Sequence, residues 1–151
     1  LFRGASAFNK PLNGWDVSSA IRMTQMFWGA SVFNQNLNSW IVSDVTDMSQ
    51  MFQGARAFNN GGSALINNWD VSSVTNMVEM FRNAREFSQP LNSWNVSSVT
   101  NMAGMFFNAL EFNQPLNAWN TSPSSTASLE NINNTFRNAD KFNQPLNNWN
   151  I

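Results

Sequence analysis

The chain has 151 residues and is 42% hydrophobic, but only 11% of its residues are charged and its formal net charge is -1. It contains no Cys and no His, which excludes thiol nucleophiles, His general bases and zinc fingers. A clustered basic stripe for nucleic acid is missing, as is an apolar run near the roughly 20 residues that span a bilayer. We therefore expect no enzyme, no cofactor, no metal, no nucleic-acid partner and no direct membrane insertion of this segment.

One unit of about 25 residues recurs along the whole sequence. Its landmark is a Trp, found at Trp15, Trp40, Trp69, Trp94, Trp119 and Trp149. Such self-similarity predicts stacked units, each of which covers the apolar face of the next. We expect residues 1–151 to form a single repeat domain of about six coils. Because both ends interrupt the repeat, we also expect a fragment of a longer chain, with flanking repeats or domains beside it.

Each unit is predicted to contain a short helix around an anchor Phe. The anchors are Phe27, Phe52, Phe81, Phe106 and Phe136, with Phe2 as a truncated first copy. In the third full unit, Val74, Met77 and Met80 precede the anchor Phe81 by seven, four and one residues. Spacings of three and four place such side chains on one face of a helix. A helix of about nine residues is too short to persist alone, so packing must hold it.

The ends of this helix are also predicted. Eight residues before the anchor lie the N-cap candidates Ser19, Asp44, Ser73, Ser98 and Ser128. Two residues after it lie Gly4, Gly29, Gly54, Asn83, Asn108 and Asn138. Gly and Asn tolerate the left-handed conformation that closes a helix, so this column is interpreted as a C-terminal cap. A generic turn is the alternative.

A short strand is predicted after a second Phe column. That column is Phe8, Phe33, Phe58, Phe87, Phe112 and Phe142. Apolar residues then alternate across Trp-x-Val, as at Trp94 and Val96, which suits a strand with one buried face. Parallel strands joined by crossover helices give an α/β solenoid with one short parallel strand and one short helix per unit.

Two insertions lengthen the repeat, one near residues 60–64 and the other near residues 121–126. Both are rich in Gly, Ser or Pro, so we expect loops at the rim of the stack. The apolar columns continue across both insertions, which argues against a disordered Asn/Gln-rich chain.

The repeat resembles that of the BspA-like leucine-rich-repeat surface proteins. Residues 94–102 (WNVSSVTNM) and 113–116 (NQPL) carry the pattern, which is closest to the subgroup with repeats of about 25 residues in bacterial surface lipoproteins. The resemblance covers essentially the whole chain, with departures at residues 20–22, at residues 59–61 and after Asn120. It implies a leucine-rich-repeat-like right-handed coil on or outside the cell, associated with adhesion or protein binding, and no catalytic residues.

The residues beside each Trp are the first candidates for partner binding. If the Trp points inward, Asp16, Asp70, Asn95 and Asn120 point outward and could hydrogen-bond a protein or a glycan. A plain solvated face is the simpler interpretation. The Asn two residues before each Trp is expected instead to form an internal amide ladder between coils.

Trp28 and Phe107 are the second candidates. They follow the anchor, at a position where the other units carry Arg or Gln. A partly exposed aromatic side chain there could anchor a partner. Packing against a neighbouring coil is the alternative.

Together these features favour a non-catalytic binding or adhesion module of a surface or secreted protein, with protein or glycan partners. The alternative is a structural scaffold or spacer subunit within a larger, possibly intracellular, assembly.

Overall fold

The computed structural model describes residues 1–119 and 129–149. Within those ranges the chain forms no α-helix and no β-strand. Its helical elements are two short 3₁₀ helices, Asn60–Gly62 and Ala64–Asn68. Isolated parallel bridges join Arg22, Asp47, Asn76, Asn101 and Asn131 in succession. The predicted α/β solenoid, with a leucine-rich-repeat-like coil of one strand and one helix per unit, is therefore wrong. The units are built from turns, and each is called a layer below.

The segment predicted to be helical divides its amide groups between two kinds of hydrogen bond. Alternate N–H groups donate to carbonyls of the next layer at 2.8–2.9 Å, as Met77, Glu79, Phe81 and Asn83 do. The N–H groups between them close four-residue β-turns, as from Met80 N to Met77 O at 3.2 Å. In an α-helix every N–H donates to the carbonyl four residues back. Here the N–H groups are used by the next layer and by the turns, so none is left for an α-helical hydrogen bond.

Two columns of residues along the stack adopt a left-handed backbone that a helix cannot contain. The Gly/Asn column has φ between 56° and 74°, which confirms the predicted conformation but not the predicted role as a helix cap. The second left-handed column, two residues before the anchor, consists of Gln25, Gln50, Glu79, Gly104 and Asn134. Each of these residues occupies the third position of a turn, where type II turns require a positive φ. The predicted N-cap column accordingly begins no helix in the described residues.

The predicted strand at Trp-x-Val is interrupted on both sides by turns. Trp94 N donates to Leu91 O at 3.0 Å, and Val99 N donates to Val96 O at 3.0 Å. The segment between these turns is too short to form the successive backbone hydrogen bonds of a β-strand. Its alternation is nevertheless as predicted, because Trp94 and Val96 are buried and Asn95 is exposed.

The predicted stacking of equivalent residues is confirmed by two continuous columns of Phe rings. Successive anchor rings lie 5.4–5.7 Å apart between centroids, with interplanar angles of 0–7°. Rings of the second column follow at 5.8–6.0 Å. Within a layer the two rings stack at 3.9–4.2 Å. The interior is therefore a double aromatic ladder, flanked by buried Met, Leu and Val side chains.

Each Trp after the first ties its layer to the preceding one. The indole N–H donates to the carbonyl of the Leu or Ile before the previous Trp at 2.8–3.2 Å, from Trp40, Trp69, Trp94, Trp119 and Trp149. These bonds satisfy a polar group inside the core, which buried indoles require.

Side-chain amides form two further ladders between layers. The Asn two residues before the Trp accepts from the backbone of the next layer in the later part of the stack, at Asn67, Asn92 and Asn117, with distances of 2.9–3.1 Å. The predicted ladder is confirmed for these three residues, which are half-buried at the edge of the core and not internal. In an earlier layer, Asn38 Oδ1 accepts from the side chain of Asn60 instead. A second ladder, not predicted, runs through Asn9, Asn34, Asn59, Ser88, Asn113 and Asn143.

The first insertion is more ordered than the predicted loop. It forms the two 3₁₀ helices and buries Asn60 completely. Asn60 Oδ1 accepts from Leu37 N at 2.9 Å, and Asn60 Nδ2 donates to Asn38 Oδ1 and Ser63 O at 2.8 Å each. Asn60 is thus the buried link between the insertion and the preceding layer, beside bonds from Gly61 N to Asn34 Oδ1 and from Asn38 Nδ2 to Ser63 Oγ at 2.9 Å each. The second insertion, near residues 121–126, lies outside the described residues.

Replacing Asn60 by Ala is expected to lower the free energy of unfolding by about 2–4 kcal/mol. The change leaves the buried Leu37 N–H without its acceptor, at a cost of about 1–3 kcal/mol. It also places Ala at a φ of 51°, which costs a further ~1 kcal/mol. Urea denaturation measures the loss, and the exposed Asn36→Ala is the control. Equal stability of the two variants would show that the Asn60 hydrogen bonds do not stabilise the fold.

Candidate functional site

The described residues that follow a Trp are exposed, as predicted, but the polar side chains among them already hydrogen-bond to the backbone. Asp16, Asp70 and Asn95 each accept at Oδ1 from the N–H of the Ser two residues later, at 3.0–3.1 Å. The two carboxylates also accept from the Ser hydroxyl at 2.6–2.7 Å. These are local turn bonds of the kind that Asp and Asn favour. All of them use Oδ1, so Oδ2 of each exposed Asp is not engaged by these bonds.

The structure brings together only part of this candidate set. Asp70 and Asn95 occupy equivalent positions of neighbouring layers and share one face. Asp16 lies two layers from Asp70, with Ile41, 61% exposed, in the layer between them. Asn120 lies outside the described residues. The exposed set is therefore a mixed strip of carboxylate, aliphatic and amide groups.

Hydrogen bonds from Ser72, first from its hydroxyl and then from its N–H, lower the pKa of Asp70 below its ordinary value of 3.8. Because the folded pKa is lowered, this bond stabilises the fold fully above pH 3.8, and the stabilisation is lost as the pH falls through the folded pKa. Ser72→Ala is expected to raise the pKa of Asp70, measured by NMR titration of the carboxyl carbon. Asp16, whose pKa Ser18 lowers in the same way, is the internal control. An unchanged Asp70 midpoint would contradict the assignment.

Trp28 and Phe107 pack against Arg side chains of neighbouring layers. Arg3 Cζ lies 5.2 Å from the ring centroid of Trp28. Arg82 Cζ and Arg137 Cζ lie 4.7 and 5.5 Å from the ring centroid of Phe107, one from each adjacent layer. Such cation–π contacts stabilise by ~0.5–1 kcal/mol at exposed sites. The observed packing favours the structural alternative for Phe107, whose ring has an Arg from the layer on either side.

Beside Trp28 lies a groove that was not predicted from the sequence. It has a volume of about 530 Å³ and crosses three layers. Its lining residues are Trp28, Gly29, Ser31, Gln53, Gly54, Arg56, Asn83 and Arg85. The available sequence signal was that Ser31, Arg56 and Arg85 all stand four residues after an anchor Phe, and so stack along one edge.

A second cavity, of about 440 Å³, lies on the face of the first layer. Trp15, Val17, Met23 and Met26 contribute to its lining, so it is an end of the apolar interior. Trp15 is 44% exposed there, whereas Trp94 is 2% exposed in the middle of the stack. Residues 1–119 and 129–149 contain no cluster of three potential acidic, Cys or His metal ligands, and none of their helices has the length and apolarity to cross a bilayer.

Comparison with known proteins identifies a family but not a function. No match was found among curated proteins or among solved structures. One family model matches the chain twice, over residues 1–65 and 62–151, and so covers it from end to end. The family is a repeat family related to the BspA-like surface repeat proteins, which confirms the repeat organisation and the coarser resemblance. The chain belongs to the family described as Mycoplasma protein of unknown function, DUF285.

Proposed function

We propose that this chain is a non-catalytic binding or adhesion module of a surface or secreted protein, which recognises protein or glycan partners through its repeat surface. The supporting observation is that one fixed backbone presents different side chains at equivalent exposed positions. Successive Trp residues are followed by Asp16, Ile41, Asp70 and Asn95. Because backbone bonds, ring columns and amide ladders hold the layers, binding would order little of the protein, which favours affinity.

The resemblance to the BspA-like subgroup with repeats of about 25 residues supports a location outside the cell or on its surface. It also supports adhesion as the role, because recognition by stacked repeats uses an extended surface of equivalent positions.

Immobilised protein probed with a glycan array and a panel of purified extracellular-matrix proteins tests the proposal. Asp70→Lys/Asn95→Lys alters two exposed neighbours on the Trp-flanking face. Asp44→Lys/Asp140→Lys introduces the same residue at two other exposed positions and is the control. We expect at least one ligand to bind, and the first variant but not the second to weaken it tenfold or more. Absence of any binding at millimolar ligand would overturn the proposal.

A structural scaffold or spacer is the second candidate, favoured by the apolar end face around Trp15. That face would stack on a further repeat or domain of an assembly. A scaffold is expected to bind none of the glycans or matrix proteins. It is also expected to lose association with an adjacent repeat when Trp15 is replaced by Ser. Association that survives this substitution would contradict the scaffold.

A further inference from the structure

We propose that the groove beside Trp28 is a binding site for an acidic sugar, one that carries a carboxylate. The inference rests on the proposed function and adds to it a ligand class and a second site, separate from the Trp-flanking face of Asp70 and Asn95. The groove volume of about 530 Å³ falls within the range of small-molecule sites, roughly 300–1,000 Å³.

The polar groups of the groove are mainly donors. Asn83 Oδ1 already accepts from Asn108 Nδ2 at 2.8 Å, so the groups that Asn83 has left are N–H donors. Gln53 Oε1 is buried and has no hydrogen-bond partner among the described residues, so it is the exception. The indole N–H of Trp28 has no partner among the described residues, unlike that of Trp40. A donor-rich groove fits a ligand rich in oxygen acceptors.

The charge of the groove is positive. Arg56 and Arg85 occupy equivalent positions in neighbouring layers, where Glu86 N donates to Arg56 O at 3.1 Å. Neither Arg has an ion-pair partner in the part of the chain that the structure describes, and no residue in the described lining is acidic. A guanidinium binds a carboxylate through two parallel hydrogen bonds, so an anion between these side chains would also relieve their mutual repulsion.

Two of the lining residues, Gly29 and Gly54, carry no side chain. A Cβ on Gly54 would lie 3.6 Å from the backbone of Gly29, and both residues have left-handed φ values of 69–72°. A sugar ring places several oxygen acceptors within this small volume, and its hydroxyls can rotate to accept. An acidic peptide brings its own N–H donors, for which the groove offers few acceptors. The observations therefore favour a sugar.

Isothermal titration calorimetry with three probes tests the inference. The probes are a uronic-acid disaccharide, the same disaccharide with its carboxyl reduced to an alcohol, and a tetraglutamate peptide. We expect the acidic disaccharide to bind at least tenfold more tightly than either of the others. Its affinity should fall with rising salt, because the contact is between exposed charges.

Arg56→Gln and Arg85→Gln are each expected to lower the affinity for the acidic disaccharide tenfold or more. Arg22→Gln, which removes the same charge from an exposed position outside the groove, should leave its affinity unchanged. Preference for the peptide, equal affinity for the reduced sugar, or equal loss in all three variants would overturn the inference. If Asp70→Lys/Asn95→Lys abolishes partner binding while the groove variants do not, the groove assignment fails alone. If no probe, glycan or protein binds, the proposed function fails with it.

Discussion

Replacing Phe81 by Ala is expected to lower the free energy of unfolding by about 3–5 kcal/mol. The ring is fully buried in a middle layer, 5.5 Å from the ring of Phe52 and 5.7 Å from that of Phe106. It also stacks at 4.0 Å on Phe87 of its own layer. Because backbone hydrogen bonds fix the distance between layers, the cavity cannot collapse. Urea denaturation followed by Trp fluorescence measures the loss.

The matched control is Phe142→Ala, in the last described layer. Phe142 is only half-buried, with its ring 4.1 Å from that of Phe136 and 5.9 Å from that of Phe112. Removal of the Phe142 ring should lower the free energy of unfolding by clearly less than removal of the Phe81 ring. Equal losses at the two positions would contradict a continuous ring column whose centre is the best packed. Since repeat arrays can unfold in parts, hydrogen exchange should accompany the denaturation curve.

Replacing Trp94 by Ala is expected to cost a similar amount, about 3–5 kcal/mol, for a different combination of reasons. The side chain is 2% exposed and stacks on Trp69 with ring centroids 6.3 Å apart. Its indole N–H donates to Ile66 O at 2.9 Å. Trp94→Phe keeps much of the packing and removes this bond. Its cost should be about 1 kcal/mol, because Ile66 O retains the N–H of Trp69 at 3.1 Å.

Trp15→Ala is the control for the Trp column, since Trp15 is 44% exposed on the first layer and should contribute little. If Trp94→Phe proved as costly as Trp94→Ala, the hydrogen bond and not the packing would dominate. If both were neutral, the column would not be part of the core. Thermal unfolding and urea denaturation of the three variants decide between these outcomes.

The sequence predicted which residues are inside but not the backbone that puts them there. Val74, Met77 and Phe81 recur at spacings of three and four, which suit one face of a helix. A succession of overlapping β-turns, each closed by an N–H that donates to the carbonyl three residues back, buries the same positions, so periodicity alone cannot separate a helix from these turns. Glu79, at a φ of 53°, is the residue that excludes the helix, and Glu is not a residue from which left-handed backbone is predicted. Gly104 and Asn134, at the equivalent position in later layers, were the residues from which a left-handed backbone could have been predicted.

The candidate site was predicted only in part, for a related reason. The exposure of Asp70 and Asn95 follows from the inward direction of the neighbouring Trp, so it could be deduced from alternation. Their engagement by Ser72 and Ser97 depends on turn geometry that the predicted strand did not contain. The groove depends on Arg56 and Arg85, which are separated by an insertion and become neighbours only when the layers stack in register.

Scalar coupling across hydrogen bonds tests most directly whether the layers are joined through their alternate backbone N–H groups. In the structure Phe81 N donates to Met105 O of the next layer at 2.9 Å. We therefore expect a coupling between the amide nitrogen of Phe81 and the carbonyl carbon of Met105. A coupling from Phe81 to the carbonyl carbon of Met77, four residues back as in an α-helix, would contradict it.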